Sequence, residues 1–204
     1  MLTIMHRPPR TRPMLRIMFA VGAVGFIALS APAAVVSYQA SLSGANESPP
    51  NTSLGTGFTI VDIDTTAHTL RVQANFSGLT GLSTNCHIHS NATITPGVGN
   101  AGVATMQPTF LGFPSGVTAG VYDNTFDLTL ASSWNSAYIT ANGGTPASAE
   151  AALALQMSEG RSYLNIHSSF AAGGEIRGFL TPVPTPGAAA VLGLGALVAR
   201  RRRR

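Results

Sequence analysis

The sequence predicts an all-β protein, an antiparallel two-sheet sandwich or flattened barrel that carries one short helix at about 146–158. Three observations lead there. Between residues 37 and 181 Gly, Thr, Ser and Asn are abundant and charged residues are few. Short segments of alternating polarity recur along this stretch with turn residues between them. One of them, 69–76, alternates without a break, with Leu70, Val72, Ala74 and Phe76 on one side and Thr69, Arg71, Gln73 and Asn75 on the other. Successive strand side chains point to opposite faces, so this is the pattern of a half-buried antiparallel strand.

In chain order, further strands are expected at 37–43, 57–64, 84–90, 101–106, 125–130 and 137–141. The linker from Asp64 to His68 is short enough for a hairpin connection. Residues 95–120 are rich in Gly and Pro and read as loop around one short strand. Thr145 can cap a helix, Pro146 fits its first turn, and the Ala- and Leu-rich run 147–157 continues until Gly160 ends it. The stretch 161–180 closes the domain as a hairpin. Its first strand places Tyr163, Asn165 and His167 on one face, a turn falls at Gly173-Gly174, and Glu175 and Arg177 then share a face. Trp134 and Tyr138 read as core residues or as a sugar-stacking pair.

The two ends differ from the middle. Arg7, Arg10, Arg12 and Arg16 precede an apolar run at 17–29, and Ala31-Pro32-Ala33 supplies small residues at a cleavage position. Residues 1–33 therefore read as a secretory signal peptide, and the apolar run is shorter than the roughly 20 residues of a spanning helix. At the other end, 182–187 is a Pro-rich spacer, 188–199 an apolar segment, and 200–204 a run of five arginines. This order resembles the PEP-CTERM sorting signal of exopolysaccharide-producing bacteria, with Pro184-Thr185-Pro186 where the name-giving motif has Glu at its centre. The resemblance implies processing by an exosortase-type enzyme, transient or retained membrane anchoring through 188–199, and a mature domain at the cell surface or outside the cell. The arginines would stay on the cytoplasmic side.

Removing both ends reverses the charge. The whole chain carries a formal +4, but nine of its 12 basic residues lie in the leader and tail, while all eight acidic residues lie between them. The mature domain keeps only Arg71, Arg161 and Arg177, a net charge of −5. An acidic domain without lysine offers no footprint for phosphate backbones, which excludes nucleic acid as a partner.

The domain resembles the chordin-type (CHRD) domain. The matching segments occur in order: Leu42 through Glu47 to Pro50, Phe76 to Leu79, His87-Ile88-His89, Gly160 to His167, and Gly173 to Gly178. The resemblance covers 37–181. It implies an extracellular β module without established catalytic activity, and hence a non-enzymatic binding or structural role toward an extracellular protein or polysaccharide. No Gly-x-Ser-x-Gly nucleophile elbow is present to suggest otherwise.

The candidate site lies where the hairpin meets His87 and His89. A His-x-His strand puts two imidazoles on one face, and His167 from a facing strand would complete three nitrogen ligands of the kind zinc or copper takes. Glu47 or Glu175 could serve as a fourth ligand or hold a ring N–H. The strand is similar to one in copper-zinc superoxide dismutase, whose other histidines and disulfide have no counterpart here. The competing reading needs no cofactor: Glu47, His87, His89, Asn165, His167, Glu175 and Arg177 form a buried polar network, with Glu175 and Arg177 as a charge-assisted pair. Cys86, the single cysteine, falls on the opposite strand face and reads as an inert buried thiol.

Overall fold

A computed structural model describes residues 35–184. The expected leader (1–33), the apolar segment 188–199 and the arginine tail lie outside the described residues. Eight strands form one antiparallel sheet curled into a half-barrel, the barrel-like form of the expected architecture. They are β1 (Val36–Ser43), β2 (Thr56–Asp64), β3 (Thr69–Ser77), β4 (Ser83–Ser90), β5 (Gly120–Asp127), β6 (Ser162–Ser168), β7 (Ile176–Phe179) and β8 (Thr181–Pro182). Their spatial order is β4-β6-β7-β1-β2-β3-β5, with β8 beside the start of β1.

The β2–β3 connection shows how local chemistry fixes register. The Asp64 carboxylate accepts from the backbone N–H groups of Thr66 and Ala67, and His68 takes a left-handed conformation at φ 55°. These devices close a tight turn, after which Asp64 pairs with Thr69 and Thr56 with Ser77. The same His68 reaches across to the buried Glu150 at 2.9 Å and ties the hairpin tip to a helix.

That helix, α2 (Pro146–Ser158), begins with a capping box in which Thr145 accepts from the Ser148 N–H and Ser148 accepts from the Thr145 N–H. Ala149, Leu153 and Met157 recur every fourth residue and are fully buried in the core with Val61, Leu70, Ile88 and Leu164. The helix thus packs its apolar stripe into the concave side of the sheet.

Three expected strands change. Residues 137–141 lie in a short helix, α1 (Ser136–Ala141), because the Asn135 side chain accepts from the Ala137 N–H and starts a helical turn. The strand expected at 125–130 runs instead from Gly120 to Asp127, in register with β3. Residues 101–106 contribute only isolated bridges, His89 to Val103 and Thr105 to Trp134. Trp134 and Tyr138 are core residues, stacked on each other at 6.0 Å and buried, which removes them as a sugar-stacking face.

The irregular segment 102–118 has a structural task. It runs along the free edge of β4, where Ser90 N–H donates to Gly102 O, Ala104 N–H to Ile88 O, Phe110 N–H to Cys86 O and Ser83 N–H to Val117 O. Main-chain groups that would otherwise invite another strand are thereby occupied.

Candidate functional site

Most of the polar residues singled out from the sequence collect on the outer face of β4, β6 and β7, with Glu47 and Glu175 in the adjoining loops. Cys86 and Ile88 of β4, Leu164 and Ile166 of β6, and Ile176 of β7 enter the core. The alternate positions, His87, His89, Tyr163, Asn165, His167 and Arg177, therefore face outward. They are nevertheless buried, and every residue of β6 is buried on either face. Loops around residues 44–53, 91–101 and 169–175 cover them. Register brings His87 opposite Asn165 and His89 opposite Tyr163 on β6, and Asn165 opposite Arg177 on β7.

Glu175 anchors the covering loops. Its carboxylate accepts from Ser53 Oγ and the Thr80 N–H, each at 2.5 Å, from the Gly81 N–H at 3.2 Å, and from Ser168 Oγ. Burial pushes this carboxyl up, but the four donors outweigh it and hold the group below the usual carboxylate range. Next to it, Gly174 takes φ 134°, and any side chain there would collide with the Asn165 amide. The expected Glu175–Arg177 pair does not form. Arg177 instead donates to Asn46 O (2.6 Å) and Asn100 Oδ1 (2.7 Å), lies 4.6 Å above the Tyr163 ring, and has Glu47 as its ion-pair partner at 3.7 Å.

Glu47 is 8% exposed, and its Oε1 has no hydrogen-bond partner. Burial raises its pKa to about 7, with Arg177 pulling the other way. Asn165 Oδ1 is likewise buried without a partner.

The three histidines each spend one ring nitrogen on a backbone carbonyl. His87 Nε2 meets Pro108 O at 2.6 Å, His89 Nδ1 meets Ala101 O at 2.9 Å, and His167 Nδ1 meets Ala172 O at 2.8 Å. A carbonyl can only accept, so each of these nitrogens carries the proton and the tautomer is set. One remaining nitrogen on each ring turns toward the others. Candidate ligand atoms of the trio all lie within 4.8 Å of one another, and His87 Nδ1 and His167 Nε2 are 3.4 Å apart. His89 Nε2 is buried and unpartnered. Burial lowers the pKa of His87 and of His89 to about 4, and lowers that of His167 as well. All three rings are therefore neutral at pH 7, in a state able to offer lone pairs.

The trio is thus brought together, whereas Glu175 gathers donors of its own, Arg177 has Asn46, Asn100 and Glu47, and Asn165 Oδ1 is left without a partner. Sequence reasoning missed those partners. Pro108, Ala101 and Ala172 act through main-chain oxygens, which leave no residue-type signal, and Ser53, Thr80 and Ser168 are ordinary turn and strand residues until the fold places them. Cys86 is fully buried in the core, its thiol pushed well up by burial, so it stands on the other side of the sheet from the trio. A model of the CHRD domain matches residues 38–180 of the chain. No curated protein and no solved structure matches it.

Proposed function

The chain belongs to the CHRD-domain family, and from that membership we propose an exported, non-enzymatic module that binds or organises material at the cell surface or in the extracellular polysaccharide matrix. The observation that carries the binding role is a cleft of about 460 Å³ bordered by Asn46, Glu47, Gly99, Arg177 and the partly exposed Phe179. It offers an acid, a base and an aromatic edge, a combination suited to the hydroxyls and apolar faces of a saccharide or to a polar protein loop. Export is supported by the leader and tail of the sequence, and an exosortase-type enzyme would be the processing partner.

The test is expression of the tagged chain in its host followed by fractionation. The reading expects the domain in the envelope or matrix fraction, lacking residues 1–33 and Arg200 to Arg204. It also expects co-sedimentation with the host's extracted polysaccharide, weakened by Phe179→Ala. A cytoplasmic chain that retains the five terminal arginines overturns the export half, and polysaccharide binding that Phe179→Ala leaves unchanged overturns the cleft.

A further inference from the structure

We infer that His87, His89 and His167 form a mononuclear binding site for a copper or zinc ion, held through His87 Nδ1, His89 Nε2 and His167 Nε2. The inference goes beyond the module reading and does not depend on where the domain is exported.

It rests on an arrangement of lone pairs that ordinary hydrogen bonding cannot satisfy. Because Pro108, Ala101 and Ala172 accept from the opposite ring nitrogens, none of the three convergent nitrogens carries a proton in a neutral ring. His87 Nδ1 and His167 Nε2 then face each other as two acceptors at 3.4 Å. A proton placed between them would create a buried imidazolium and would still leave His89 Nε2 without a partner. A cation satisfies all three together. Nitrogens bound to a tetrahedral ion at ~2.0–2.1 Å stand about 3.3–3.4 Å apart, which is the spacing of the His87–His167 pair.

The surroundings fit that role. The carbonyls that fix each tautomer are the outer partners a ligating imidazole normally has, and they come from three different segments of covering chain. His89 is further held by stacking on Tyr163 at 4.9 Å. Arg177, the cation on the same face, is turned to Asn46 O, Asn100 Oδ1 and the Tyr163 ring, with Glu47 3.7 Å away. No carboxylate or thiolate joins the cluster among the described residues. Three neutral imidazoles favour a late first-row ion, zinc or copper, over the oxygen-seeking magnesium or calcium.

The full chain, purified without chelators, would be titrated separately with Zn²⁺ and with Cu⁺ under reductant, each against a chromophoric competitor. One equivalent of at least one ion is expected, and the two arms decide which. His89→Gln and His167→Gln should each weaken binding by at least ~100-fold, while His68→Gln leaves it unchanged. Should those variants fail to fold, the wild-type ring ¹⁵N spectrum carries the test. It should show His87 protonated at Nε2 and the other two at Nδ1, with the three remaining nitrogens shifting on metal addition. Less than about a tenth of an equivalent bound, or ring nitrogens that do not move, overturns the site.

Discussion

Glu175, just before β7, and the histidine trio of β4 and β6 are both buried, yet their hydrogen bonding ends differently. Around Glu175 four donors converge on one carboxylate, from Ser53, Thr80, Gly81 and Ser168. Around the histidines each ring satisfies its N–H on a carbonyl and then presents a lone pair to the same small space. A closed cluster holds loops down. The open one leaves lone pairs without a donor, the premise of the metal site proposed above. The difference separates framework from site more sharply than burial or polarity, which the two clusters share.

The largest test of this comparison removes the closed side. Glu175→Gln puts an amide N–H among four donors and should cost about 3–5 kcal/mol in urea unfolding. A loss below about 1 kcal/mol would mean that the loops are held by other contacts.

Acid titration addresses the open side. The folded pKa of His87 and His89 is near 4, below the ordinary value, so between about 6.5 and 4 the unfolded chain binds more protons than the folded one. Stability of the metal-stripped domain is therefore fully present above pH 6.5 and falls as pH drops toward 4, by roughly 1–3 kcal/mol. Glu47 works in the opposite sense. Its folded pKa of about 7 keeps it protonated where an unfolded glutamate ionises, so its contribution is present below about 4.3 and lost as pH rises through 7. Melting curves of wild type from pH 4 to 8 measure the sum of two opposed slopes, and those of Glu47→Gln measure the histidine slope alone; a variant profile flat across that range contradicts the histidine assignment.

Glu47→Gln separates the two contributions. The substitution should raise stability at pH 8 relative to pH 5 by about 1 kcal/mol compared with wild type, since no buried carboxylate then has to ionise. The smallest effect is expected at an exposed pair. Arg71 and Asp123 form a two-pronged ion pair on the solvent side of β3 and β5, with both side chains nearly half exposed. Arg71→Ala should leave the melting temperature unchanged, because water already screens the pair. A marked drop there would show that surface charge matters more in this domain than either buried cluster implies.

These contrasts were partly legible in the sequence. Period-2 alternation places His87 with His89 and Asn165 with His167, and the Thr145-Pro146 start of α2 follows from capping chemistry. Residues 137–141 alternate like a strand, but the cap from Asn135 and the burial of Tyr138 decide for a helix. One curled sheet and two facing sheets require the same local patterns, so only long-range pairing separates them. The division of labour between Glu175 and the histidines was not legible either. It depends on the carbonyls of Ala101, Pro108 and Ala172 and on donors more than 90 residues away from Glu175, such as Thr80.

The pairing of β1 carries a consequence for how the domain is presented. Its first residues lie beside Ile63 and Pro182, whereas its last, Ser43, lies beside Arg177 and the polar cluster. Seven strand steps of about 3.3 Å separate the two, roughly 23 Å. Both borders of the domain thus lie at one end of β1, with Arg177 beside the other end and Phe179 and His89 at levels between. A tether at either border would hold the domain by that end of β1, with Arg177 and Asn46 farthest from the point of attachment and Phe179 nearer to it.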